Sequence, residues 1–249
     1  MKKIAIAYMA HDGFTSLYTG VGTVARDFLL SFPQVSKNLK NKFKKCQFDF
    51  YATTIKYNQK CFGFSEELKK DNLNFISKNK KIHLIELLNG SKADQSYGTS
   101  NYWRFASISG ATFIYDLSRQ YDQVIAITVD TPFAQVANFF FNQYEIRNVK
   151  IIWLPQSTVR IHKVGISALA SHKGNNYEEE RYQWEKGVVE LSNTNNQVFI
   201  AYAGDFMKKQ SVSILNTVLL VALVLVVAAS LYFTLSAVPG NQYPSAVFD

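Results

Sequence analysis

A chain of 249 residues with a formal net charge of +8 and only two cysteines has room for a sizeable core but too few thiols for a disulfide scaffold. Cys46 and Cys61 offer no metal-ligand spacing and suit a reducing compartment. The lysines gather at Lys37, Lys40, Lys42, Lys44 and Lys45 and again at Lys69, Lys70, Lys78, Lys80 and Lys81. Neither cluster lies inside a recognised motif, so no nucleic-acid partner is expected; solvated faces or anionic lipid and nucleotide phosphates account for such lysines.

In chain order, Lys3 to Met9 is a short apolar strand. A glycine-containing loop follows, and Val21 to Phe32 then sets Val21, Val24, Ala25, Phe28 and Leu29 at helical spacing. Phe48 to Thr54 and Lys81 to Leu88 read as strands, and Asn101 to Gln120 as a helix ending near Tyr121-Asp122. Gln123 to Val129 is a buried strand. Asp130-Thr131-Pro132 opens a helix across Phe133 to Phe141, with proline near the first turn and a capping side chain before it. Val149 to Leu154 is the next strand, Tyr177 to Ser192 a long helix, and Gln197 to Ala203 a last short strand. Strands alternating with helices predict an α/β fold with a doubly wound, mostly parallel sheet over residues 1–209.

The composition then changes. All 27 Lys and Arg residues lie at or before position 209, and Gln210 to Phe248 contains no charged side chain. Val212 to Leu235 spans 24 residues, or about 36 Å as a helix, which crosses a hydrocarbon layer of about 30 Å with some tilt. A single transmembrane helix at 212–235 with a polar tail at 236–249 is therefore expected. Lys208 and Lys209 before it place the N-terminal domain on the cytoplasmic side. A fusion or a joined reading frame would produce the same shift.

In a doubly wound sheet, chemistry gathers at the carboxyl ends of the strands. Polar groups follow three of them: His11 and Asp12 with the loop Tyr18 to Thr23; Asp130-Thr131; and Pro155-Gln156-Ser157-Thr158 with Arg160 and His162 beyond. Gly20-Val21-Gly22 opens a helix, so its backbone N–H groups face either a phosphate or sugar hydroxyl, or simply a tight turn. It is neither a full dinucleotide fingerprint nor a Walker loop. His11 and His162 read as site groups or as satisfied histidines, and Asp130 as a site carboxylate or a helix cap.

These parts, in this order, resemble the N-terminal domain of GT-B glycosyltransferases of the glycogen and starch synthase-like group. The resemblance lies in Tyr18-Thr19-Gly20-Val21-Gly22-Thr23-Val24 with the helix after it, in Val129-Asp130-Thr131-Pro132-Phe133, and in Ile151 to Thr158. It continues in the helix bearing Arg181, Trp184, Glu185 and Lys186 before Gln197 to Ala201. The chain departs from the family in carrying Tyr18 where the loop has a lysine, and in being one glycine short there. The resemblance implies a UDP- or ADP-sugar and a glycan acceptor as ligands, with no cofactor or metal. It places Gly20, Val21, Gly22, His11, Asp130, Gln156, Ser157 and His162 at one nucleotide-sugar or acceptor cleft, and assigns no catalytic residue. The family's donor-binding second domain is not present in residues 1–249, so hexosyl transfer would call on a separate C-terminal domain. Two further readings stay open: a non-catalytic membrane-tethered binding module, and a single-pass membrane-complex subunit with a fused soluble domain.

Overall fold

Lys2–Met9 forms the first strand, β1, and Ile4 to Met9 are buried because both faces of the strand are covered. In the computed structural model, which describes residues 1–17, 19–56, 64–87, 99–155 and 177–201, β1 is followed by α1 (Gly20–Lys42), β2 (Cys46–Ile55), α2 (Glu66–Ser77) and β3 (Ile82–Leu87). The second half comprises α3 (Ser100–Ser118), β4 (Gln123–Val129), a 3-10 turn (Thr131–Phe133), α4 (Val136–Gln143), β5 (Val149–Leu154), α5 (Tyr177–Thr194) and β6 (Val198–Ile200). Among the described residues the strands make one sheet of order β3-β2-β1-β4-β5-β6, parallel throughout. The expectation that Lys3–Met9, Gln123–Val129 and Val149–Leu154 are neighbours is met by β1-β4-β5.

Strand alternation divides the core. Ala5, Ala7 and Met9 join Val124, Ala126, Ile151 and Trp153 under α3, α4 and α5. On the other face, Tyr8 lies 4.3 Å from Phe28 of α1, and Phe50 of β2 stacks on Phe32 at 4.3 Å. Lys69 of α2 pairs with Glu86 of β3 at 2.7 Å on that same face. Each aromatic pair adds about 0.5–1.5 kcal/mol beyond the area it buries.

Three elements differ from the sequence reading. Pro33 lies inside α1, which continues to Lys42 rather than stopping at Phe32. Proline removes one backbone donor, but Ser36 and Leu39 extend the buried face of Phe28, Leu29 and Phe32, and that burial outweighs the lost bond. The helix expected over Phe133–Phe141 is divided into the 3-10 turn and α4. α2 was not among the expected elements, although Ser65 caps Leu68 N–H and Glu66 and Glu67 occupy the first turn. Among the described residues no helix is long and apolar enough to cross a membrane; the expected span at 212–235 and tail at 236–249 lie outside them.

At the amino end of the sheet, Asp49 is nearly buried between strands. Its carboxylate meets Lys81 Nζ at 3.0 Å and accepts from the Tyr121 hydroxyl at 2.9 Å. Burial alone raises its pKa, but Lys81, Tyr121 and Gln47 outweigh that and hold it below the usual carboxylate value. A depressed folded-state pKa contributes stability that is present above the unfolded value and lost as pH falls through the folded one. Denaturant melts should therefore lose stability below about pH 4, and Asp49→Asn should flatten that acid limb. An acid limb identical in the two proteins would remove Asp49 as its source.

Candidate functional site

The strand order reverses direction between β1 and β4, so their carboxyl ends leave a crevice from which the chain diverges. Met9 pairs with Thr128, which sets the loop after β1 beside the turn after β4.

The loop after β1 is built around one carboxylate. Residues Ala10 to Ser16 are all buried. Asp12 Oδ1 accepts from Gly13 N–H at 2.9 Å and Ser16 Oγ at 3.1 Å. Its Oδ2 accepts from Thr19 N–H at 2.9 Å and Thr19 Oγ1 at 2.8 Å. Thr19 in turn caps α1 by accepting from Gly22 N–H at 3.2 Å. Gly13 sits at φ +103°, a conformation that favours glycine. α2 braces the loop from outside, where Asn72 Nδ2 donates to the Phe14 carbonyl at 2.9 Å.

The glycines expected to meet a ligand differ from each other. Gly20 is exposed, and a Cβ there meets nothing. Val21 is half-buried. Gly22 is buried, and a Cβ there would overlap the Asp12 carboxylate. Gly22 is therefore small because the chain's own acid packs on it at the positive end of α1.

The turn after β4 is strained and tightly held. Asp130 adopts φ 57°, ψ −169°, a region costing a non-glycine residue about 1–3 kcal/mol. Three successive carbonyls receive side-chain donors from three elements. Trp153 Nε1 of β5 donates to Asp130 O at 3.1 Å, Trp184 Nε1 of α5 to Thr131 O at 3.0 Å, and Ser107 Oγ of α3 to Pro132 O at 2.9 Å. Gln135 Nε2 also donates to the Trp184 carbonyl.

Beside this turn lies a buried ionic group. Arg181 Nη2 is 3.6 Å from Asp130 Oδ1, and Arg181 Nε donates to Glu185 Oε1 at 2.6 Å. Thr131 Oγ1 donates to the same oxygen at 2.6 Å. Asp130, Thr131, Arg181 and Glu185 are each at most 5% exposed. Such an arrangement fixes two acids and a guanidinium in one orientation at the crevice. The i,i+4 spacing of Arg181 and Glu185 on α5 is the signal in the sequence that links them.

His11 is fully buried at the start of the crevice loop. His11, Gly22 and Asp130 thus stand at adjoining strand ends, with Gly20 and Val21 at the start of α1. β5 brings the chain to Pro155 at the same edge; Gln156, Ser157 and His162, like Tyr18, lie outside the described residues. Asp12, Arg181 and Glu185 complete the polar framework and were not among the expected ligand contacts. Among the described residues no group of three His, Cys, Asp or Glu side chains is placed to hold a metal ion.

Six parallel strands in this order, with helices on both faces and polar strand ends at the switch point, define a Rossmann-like α/β domain. No protein-family model and no curated protein sequence matches the chain. Among solved structures it is similar to a UDP-GlcNAc 2-epimerase from Neisseria meningitidis bound to UDP-GlcNAc, at 11% identity and a TM-score of 0.33, over 80% of this chain and 46% of that one. It is also similar to the nicotinamidase SaPncA from Staphylococcus aureus, at 14% identity and a TM-score of 0.33, over 81% of this chain and 100% of that one. The chain therefore spans less than half the length of the epimerase.

Proposed function

We propose that this chain is the acceptor-side half of a nucleotide-sugar-dependent glycosyltransferase, with its ligand site at the switch point between β1 and β4. The observation that carries the reading is Asp130, a buried acid held in strained backbone geometry at the carboxyl end of a central strand. Strain of this kind persists where the surroundings over-determine it, and it concentrates at functional sites. The glycine loop, the strand-end motif and the helix of Arg181 and Glu185 support the finer reading, a relative of the glycogen and starch synthase-like group.

In this reading Gly20 and Val21 present backbone N–H groups to a phosphate or sugar hydroxyl, while Gly22 makes room for Asp12. Asp130 accepts from a sugar hydroxyl, and Gln156, Ser157, His11 and His162 complete the cleft. Leaving-group stabilisation falls to a separate donor-binding domain, since transfer requires groups facing each other across a cleft. The apolar segment 212–235 tethers the domain to a membrane.

Titrating UDP- and ADP-sugars against the full chain in detergent tests this. Binding in the roughly millimolar range is expected for half a site. Gly20→Val should abolish it without unfolding the domain, because a Cβ at that position meets open space. Asp130→Gly should also abolish it while relieving the backbone strain. Sub-micromolar binding untouched by both substitutions would place the ligand elsewhere and sink the proposal.

A further inference from the structure

Away from the switch point, the strongest unassigned feature is the charge at the opposite end of the sheet. β1, β2 and β3 are parallel neighbours, so the turns entering them lie along one edge. Lys2 and Lys3 stand level with Cys46 and Gln47, and Lys2 N–H donates to the Lys45 carbonyl at 2.8 Å. That contact sets Lys42, Lys44 and Lys45 beside the start of β1. β3 begins level with Phe50, so Lys78 and Lys80 carry the charge from this edge onto the β3 flank. All of these lysines are exposed.

Little opposes them. No Asp or Glu occurs from Phe28 to Phe48 or from Asn72 to Ile85. Asp49 is engaged by Lys81, and Asp122 accepts from Lys3 N–H at 2.7 Å. The α1 dipole accounts for Lys40 and Lys42 in its last turn, but not for Lys2, Lys3, Lys44, Lys45 or Lys80. Two clusters that lie apart in sequence therefore form one surface in the fold.

We propose that this lysine edge is a docking surface for an anionic lipid bilayer. Two observations favour lipid over nucleic acid. Phe43, the aromatic among the lysines, is half-buried and packs on Phe48 at 6.5 Å, so it is no platform for stacking bases. The sequence also carries the uncharged run Gln210–Phe248, whose partitioning would keep the chain beside a bilayer; headgroup charge then acts on those lysines that come within a Debye length of about 8 Å. Each lysine near such a surface strengthens attachment about fivefold. Docking by this edge turns the switch-point crevice, at the carboxyl ends of the strands, away from the bilayer. The inference rests on the membrane tether of the proposed function and not on its glycosyltransferase reading.

The full chain is incorporated into vesicles of phosphatidylcholine alone, or with about one-third phosphatidylserine. Exposed lysines are then acylated with a membrane-impermeant ester and read by mass spectrometry. Lys42, Lys44, Lys45 and Lys80 should label at least about fivefold more slowly on the anionic vesicles. Raising the salt from about 0.1 to 1 M, which shortens the Debye length from about 10 to 3 Å, should restore their rates. Lys186 on α5, paired with Glu190, should label at the same rate throughout. Lys44→Gln with Lys45→Gln should weaken the protection of Lys42 and Lys80. Equal labelling on both vesicles, equal protection of Lys186, or protection by duplex RNA where anionic vesicles give none would each overturn the proposal.

Discussion

Arg181→Met should lower the stability of the chain by about 3–5 kcal/mol, because it removes the guanidinium that two buried acids share. Asp130 and Glu185 both face this side chain, at 3.6 and 2.6 Å, and all three are nearly excluded from water. Removing the cation leaves both carboxylates with the cost of burial and without the opposite charge that offsets part of it. The paired substitution Arg181→Met with Glu185→Leu should recover part of the loss, since a buried ion pair replaced by apolar groups is often close to neutral. Urea melts of the two variants provide the measurement. A single variant within about 1 kcal/mol of the native chain would mean that Arg181 is not the counter-ion of this group.

The second expected result sets two glycines, two residues apart, against each other. Gly22→Ala should cost about 2–4 kcal/mol, comparable with overpacking a well-filled core or breaking a buried hydrogen-bond network. Its new methyl would displace the Asp12 carboxylate, which holds Gly13, Ser16 and Thr19 through four hydrogen bonds. Gly20→Ala should be neutral or slightly stabilising, since its Cβ meets nothing and alanine is the better helix former. Thermal melts distinguish the two. Equal effects would show that the loop does not depend on Asp12 in the way its geometry implies.

The sheet was legible because its strands are short apolar runs bounded by polar turns, and an alternating order of strand and helix allows few topologies. Helix limits were less so. Pro33 carries a stop signal that the packing of Ser36 and Leu39 overrides, and α2 has a sparse apolar face with only Leu68 and Asn72 buried. The strand-end residues Asp130 and His11 could be read because a parallel sheet gathers them at one edge. The role of Asp12 could not, because a carboxylate that turns inward to bracket its own loop has the same local sequence as one that faces a ligand. Arg181 lies 51 residues beyond Asp130 in the sequence, and only the packing of α5 against the turn after β4 brings them together.

The three carbonyls of Asp130, Thr131 and Pro132 are each fastened to a different element, by Trp153, Trp184 and Ser107. A turn moored at three points to the rigid body of the domain has no hinge of its own. A molecule arriving at this edge meets a backbone already immobilised by folding, so recognition there loses little further freedom. Any closing motion that shields such a molecule from water must come from segments other than this one, and the turn serves as the fixed jaw against which they would move.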